Sequence, residues 1–508
     1  MYAAVGIARG QIWRSDNGGQ SYKLRFVAGP RDTVIRDPNY ANAIWAGDPT
    51  NADLVIVGGQ NLWRSTQGGA ALRKISRWDF DASVHGDQHV IVLDTYHSGD
   101  SRAAFVGTDG GVYWTKDIAT VGSHPPFTGG WERRDQGLSS TQFYSGAGIA
   151  RAGILIGGAQ DNGTLQMRPN KSDAAWSTTQ SGDGGAAAAD PDSAYLFGEY
   201  TYLTIHRTNP SGDSTEWIDG EYPGPSKTEW KSPPFRIPDA GERTLANFIA
   251  PFALDPNDHK RMFAGGVNLW RSRNVRARHA PGNLGQGGPQ WERVKRSIPL
   301  NTRADPYDIN GSEGRKISAI AIAPGDADLA YVCYNSGKIS QTHDATSADP
   351  HWKDMVLPDS PNRVCTHITI NPSDHSTVYV TFGGWQRPNV LRTTDGGANW
   401  EWKGVELPEA PIWSLALHPD NPRLVYVGTE VGVFGSDDGG NNWKLATDQG
   451  PLAVSVQDLF WMKDTLVAAT HGRGMFKIHL PTTTEIVEAR THETKGHEAK
   501  KGKGARSE

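Results

Sequence analysis

His85-Gly86-Asp87-Gln88-His89 sets two imidazoles and a carboxylate at alternate positions. On a strand, residues i, i+2 and i+4 share a face, so these three side chains are expected to point together. Two nitrogen donors and one oxygen suit a divalent metal, and a His–Asp pair also suits acid–base catalysis. A hydrogen-bonded polar cluster closing the start of a strand would use the same residues without chemistry. Three aspartates form a second set: Asp109 in Thr108-Asp109-Gly110-Gly111, Asp161 in Gln160-Asp161-Asn162-Gly163, and Asp183 in Ser181-Gly182-Asp183-Gly184-Gly185. Two carboxylates roughly 5–10 Å apart across a cleft can serve as acid and base in glycoside hydrolysis. Asp before Gly or Asn is also ordinary turn chemistry.

The elements that must position these residues are set by a repeat. Thr393-Thr394-Asp395-Gly396-Gly397-Ala398-Asn399-Trp400 recurs as Ser436-Asp437-Asp438-Gly439-Gly440-Asn441-Asn442-Trp443, more loosely as Ser15-Asp16-Asn17-Gly18-Gly19-Gln20-Ser21-Tyr22, and most loosely as Ser65-Thr66-Gln67-Gly68-Gly69. Asp accepts backbone N–H groups across a tight turn and Gly supplies φ > 0. Around each copy the grammar is constant: an apolar strand, a turn such as Asp48-Pro49, Asp190-Pro191, Asp255-Pro256, Asn371-Pro372 or His418-Pro419, then a second and third strand, the repeated turn, and a Trp-bearing fourth strand. First strands are expected to begin near residues 43, 86, 142, 182, 246, 317, 364, 411 and 455, and residues 1–26 supply a further unit without its first strand. A period near 45 residues with four strands per unit predicts an all-β chain, a β-propeller of about ten units.

Two closures fit: seven units over 136–484 with 1–135 as part of a second propeller, or one large ring. Residues 485–508 turn charged and Lys-rich and read as a solvated tail. A formal net charge of −5 argues against a general nucleic-acid binder. No apolar run reaches the roughly 18 residues of a membrane span, and the start of the chain, YAAVGI, reads as a strand rather than a signal peptide. Cys333 and Cys365 both sit in apolar strand patterns, for which buried free thiols are the expectation.

In a four-stranded blade, starts of first strands and second-to-third loops share one face, where propeller ligands usually bind. That face would collect Gln142, Tyr144, Glu199, Trp413, Glu430, His471 and Arg473 as substrate-binding candidates beside the three aspartates. Asp395, Asp438 and Asp255 fall on the opposite face and read as turn residues. Arg14, Arg64, Arg271 and Arg392 occupy one repeated position beside the repeated turn, which points to architecture.

The S/T-x-D-x-G-x-x-W repeat resembles the Asp-box, or BNR repeat, of xyloglucanases, sialidases and sortilin. Thr108-Asp109-Gly110-Gly111-Val112-Tyr113 is similar, minus one residue, to the xyloglucanase segment that carries an active-site Asp. The resemblance implies a carbohydrate-active protein acting on a polysaccharide or oligosaccharide, with Asp109 and Asp161 or Asp183 as acid and base. Trp385 and Trp413 would then stack on sugar rings. It implies export or a periplasmic location and requires no cofactor, a divalent metal at His85, Asp87 and His89 being the one inorganic option. Sialidase chemistry fits less well, because the arginines it needs are framework residues here. The alternative is a non-enzymatic scaffold with a protein partner, similar to sortilin or to Asp-box assembly factors of photosynthetic membranes.

Overall fold

A computed structural model describes residues 1–30, 34–35, 39–94, 102–169, 176–219, 236–280, 283–298, 313–358, 361–446 and 450–480. The expected tail at 485–508 lies outside them. The chain divides into two units, Met1–Leu138 and Ser139–Glu508. Both are built from antiparallel sheets whose strands follow one another in sequence order, and no α-helix occurs among the described residues. This is β-propeller architecture.

The first unit holds a three-stranded sheet (Tyr2–Val5, Gln11–Arg14, Lys23–Val27) and two four-stranded sheets that begin at Ala43–Trp45 and Gln88–Leu93. In the three-stranded sheet the turn Ser15–Tyr22 precedes the last strand, so the strand it lacks is the first, as the repeat predicts.

In the second unit the sheets begin with Phe143–Ile149, Ala187–Ala189, Phe252–Leu254, Ile317–Ala323, Cys365–Ile370, Ile412–His418 and Ser455–Met462. Two starts fall later than expected, at Ala187 and Phe252. Gly184 and Gly185 are held as a loop by the carbonyls of Ala159 and Glu199, and the Ala250 N–H is taken by the Glu199 carboxylate. Second strands such as Val378–Phe382 are buried along their length because neighbouring sheets cover both faces. Successive first strands touch, and Phe143–Ile149 also lies against Ser455–Met462.

The repeated turns explain their own sequence. Asp395 accepts the Asn399 N–H at 2.8 Å and the Thr393 hydroxyl at 2.8 Å, while the Gly397 N–H reaches Thr393 Oγ1. Asp438 repeats every contact. Gly396 and Gly397 have φ of 69° and 91°, which residues with a Cβ rarely adopt. The arginines beside them join sheets. Arg64, Arg207, Arg271 and Arg392 each donate to carbonyls in the loop after the third strand of the following sheet: Val121 at 2.7 Å, Ala277 at 2.8 Å, Ser347 at 2.8 Å and Gly439 at 2.7 Å.

The thiol expectation is corrected. Cys333 and Cys365 are fully buried and form a disulfide, with Cα atoms 5.9 Å apart. One lies on the second strand of its sheet and the other opens the next, so the bond fastens neighbouring sheets.

Candidate functional site

The first strands carry a recurring irregularity at their beginnings. Register shifts fall between Phe143 and Ser145, Ile317 and Ala319, Cys365 and His367, Ile412 and Ser414, and Val456 and Asp458. The extra residues are Tyr144, Ser318, Thr366, Trp413 and Gln457. A bulge leaves one residue outside the ladder and re-aims its side chain. Tyr144 and Trp413 were identified from sequence; Ser318, Thr366 and Gln457 were not, although Ser318 and Thr366 follow the apolar residues that open their strands and Gln457 follows Val456, the second residue of its strand.

Around Tyr144 the glycines set the geometry. A Cβ on Gly158 would lie 2.0 Å from the Gly185 carbonyl, and one on Gly184 would lie 2.3 Å from that of Gly163. Their absence lets the Asp183 loop sit directly against the hairpin carrying Gln160 and Asp161. Asp183 Oδ1 then accepts the Asp161 N–H at 3.1 Å and Gln160 Nε2 at 3.2 Å. The Tyr144 hydroxyl bonds Gln160 Oε1, and its ring lies 5.0 Å from that of His471. Burial, with the fields of Asp183 and Asp161, pushes the Tyr144 hydroxyl up to about 12.

Glu430, whose charge His471 feels, accepts Trp413 Nε1 at 2.8 Å and Ser455 Oγ at 2.9 Å through Oε2. Burial holds His471 below the usual imidazole range, opposed by the Phe143 backbone and by Glu430. The Gln142 backbone bridges His471, while its side chain is exposed. Arg473 is exposed and reaches the Leu452 carbonyl at 3.2 Å. Trp385, on the loop after Val378–Phe382, is 66% exposed.

Glu199 sits apart from these groups. It is fully buried, and its oxygens accept the N–H groups of Ala186, Leu203 and Ala250. Burial pushes its carboxyl up to about 8 against those three donors. Sequence pattern also missed a buried pair. Asp458 accepts Ser145 Oγ at 2.9 Å and the Gly146 N–H at 3.1 Å, and interacts electrostatically with His367 on a sheet that is not its neighbour. Burial raises Asp458 and lowers His367.

The His85–His89 expectation needs correction. The strand begins at Gln88, Asp87 has φ of 56°, and a register shift follows between Gln88 and Val90. Alternation therefore does not align His85, Asp87 and His89. The bulged His89 instead places Nε2 2.6 Å from Asp109 Oδ1, and Tyr40 donates to Asp109 Oδ2 at 2.8 Å. His85 packs over Gly110. Asp109 thus belongs to the first unit, and Asp161 and Asp183 to the second.

Among the described residues, the group whose ligand atoms all lie within 4.8 Å of one another is Asp190, Asp192 and His259. Arg276 Nη2 already lies 2.6 Å from both carboxylates, taking the place of a cation.

No family model matches the sequence. Over 189 residues the chain is 25% identical to the photosystem II assembly lipoprotein Ycf48 of Synechococcus sp. (strain CC9902). That stretch is 36% of this chain and 48% of the relative, so the match spans about half the relative's length. Among solved structures, the β-propeller domain of Myceliophteria thermophila Cps50 (Swd1) aligns at 11% identity over 68% of this chain and 99% of that one, with a TM-score of 0.44.

Proposed function

We propose that the chain is a non-enzymatic binding scaffold of the Asp-box kind, docking a protein partner at the face formed by the bulged strand starts of its second unit. The observation that carries this reading is how the candidate carboxylates are used. Asp183 is tied to Gln160 and Asp161, Glu430 to Trp413 and Ser455, and Asp109 to His89 and Tyr40. A glycosidase needs an acid and a base opposed across a substrate-sized gap; these groups are each spent on their own neighbours. The assembly role in the relative's name favours the same reading.

In this proposal the seven sheets of the second unit close as a ring, with Ser145–Asp458 and Gln142–His471 as the seam. The first unit is a partial second array. The buried Cys333–Cys365 disulfide favours an oxidising compartment. Hydrolysis of a polysaccharide by Asp109, Asp161 and Asp183 is the second reading, favoured by the exposure of Trp385, a ready sugar-stacking ring.

A photo-cross-linking residue at Trp385, in the full chain expressed in its own cells, tests the choice. One discrete cross-linked protein, weakened by Tyr144→Ala or Trp413→Ala, is expected, with no sugar released from a glycan panel. Release that Asp183→Asn abolishes without lowering the melting temperature would overturn the scaffold reading.

A further inference from the structure

The three sheets of the first unit pack in chain order. Ile12, Val55, Val57 and Trp63 fill the core between the first sheet and the second; Ile56, Leu62, Ile91, Val106 and Tyr113 fill that between the second and the third. The middle sheet is apolar on both faces, as the run Val55-Ile56-Val57 must be when a sheet covers it on either side. The end sheets carry the same two-faced pattern, with one face open.

On the third sheet Ile91, Val106 and Tyr113 point inward, and alternation sends their neighbours outward. The register lines these up in two rows, Val92–Phe105–Trp114 and Val90–Gly107–Val112, neither holding a charged residue. Val90 is 49% exposed and Val92 51%. On the first sheet Ile12 and Phe26 turn inward, which leaves the rows Ala3–Trp13–Leu24 and Val5–Gln11–Val27 outside. Gln11, the polar member, accepts Trp13 Nε1 at 3.0 Å. Ala3, Val5 and Trp13, with Ile7 and Tyr22, border a hollow of about 340 Å³.

Stacked repeats end in sheets with polar outer faces; neither end of this stack has one. The two open faces also differ in sense. Arg64 on the middle sheet projects toward the third, donating to the Val121 carbonyl at 2.7 Å. Trp114 holds the same register position on the third sheet, so its open face is the one that elsewhere meets a following sheet. The open face of the first sheet is the one that meets a preceding sheet. Each therefore continues the stack by meeting the other.

We infer that the first unit is a self-association surface, in which the open face of the third sheet of one copy packs on the open face of the first sheet of a second copy, and the reverse. β-Propellers close with roughly 4–8 sheets, so three sheets per copy close as a pair, whereas a third copy overshoots. Such a contact is head-to-tail and closed. Its second joint forms within a pair already held by the first. The inference is independent of the scaffold reading, whose face lies in the second unit.

Sedimentation equilibrium of the full chain over a concentration series tests it, and a dimer is expected. Val92→Glu and Leu24→Glu each place a carboxylate in both joints and are expected to weaken dimerisation at least about a hundredfold. Mixing the two variants leaves one joint wild-type on both sides, so the mixture is expected to regain a dimer that neither variant forms alone. Val90→Lys and Val27→Lys repeat the pair if a first variant fails to fold. A monomer at every concentration would overturn the inference, as would a dimer that survives both substitutions. Loss with only one of the two, or no recovery on mixing, would mean that like faces pair and would overturn the head-to-tail joint. An oligomer larger than two would overturn the closure.

Discussion

Arg271 and Ser347 lie 76 residues apart in sequence, yet the buried guanidinium donates to the Ser347 carbonyl at 2.8 Å. The same Nη2 is 2.7 Å from Glu292 on its own sheet. One side chain thus holds its outer strand and the next sheet together.

Arg271→Met should therefore cost about 3 kcal/mol, because it strands buried carbonyls and uncouples Glu292. Urea unfolding followed by intrinsic fluorescence measures it. A loss below about 0.5 kcal/mol would mean that water replaces the guanidinium freely.

Asp395 and Asp438 are held below the usual carboxylate range by hydrogen bonds, chiefly those from Asn399 and Asn442. A lowered folded value adds stability above the unfolded value of roughly 4, and that stability fades as pH falls through the folded value. Wild type should melt above Asp438→Asn at pH 7, and the gap should narrow on acidification. A gap that does not change with pH would rule out the ionised turn as its source.

Glu199 behaves oppositely. With its carboxyl raised to about 8, its contribution is complete below roughly pH 4 and declines as pH rises through 8. Glu199→Gln turns an amide NH2 toward N–H donors and should cost about 2–3 kcal/mol near neutral pH. Unchanged thermal stability in that variant would mean that the three amides find other acceptors.

The Cys333–Cys365 bond closes a separation of 32 residues. Chain-entropy reasoning puts its contribution at about 3–4 kcal/mol. Intact-mass measurement under non-reducing conditions should show the loss of two hydrogens, and Cys333→Ser should lower the unfolding midpoint. Two alkylatable thiols in freshly purified, unfolded protein would contradict the pairing.

Much of the fold was legible in the chain. Turn residues with a local job, Asp395 accepting from Asn399 or Asp48 accepting from Thr50, carry their reason in adjacent letters. The arginine positions repeated visibly, and the contacts between sheets explain why. The candidate site was harder to read. Tyr144 and Trp413 were legible as residues at strand starts, whereas the cysteine pair, the Asp458–His367 pair and the burial of Glu199 depend on contacts between sheets. His85, Asp87 and His89 misled because alternation assumes an unbroken strand, and one left-handed residue at Asp87 cancels it.

Because Tyr144, Ser318, Thr366, Trp413 and Gln457 stand outside their ladders, their identities are decoupled from strand register. The backbone ladders beside them keep the same hydrogen bonds whichever side chain is carried there. A change of one letter per sheet at these positions accordingly leaves the ladders intact and is felt only through local side-chain contacts, such as Thr366 Oγ1 with the Ile412 carbonyl of the next sheet.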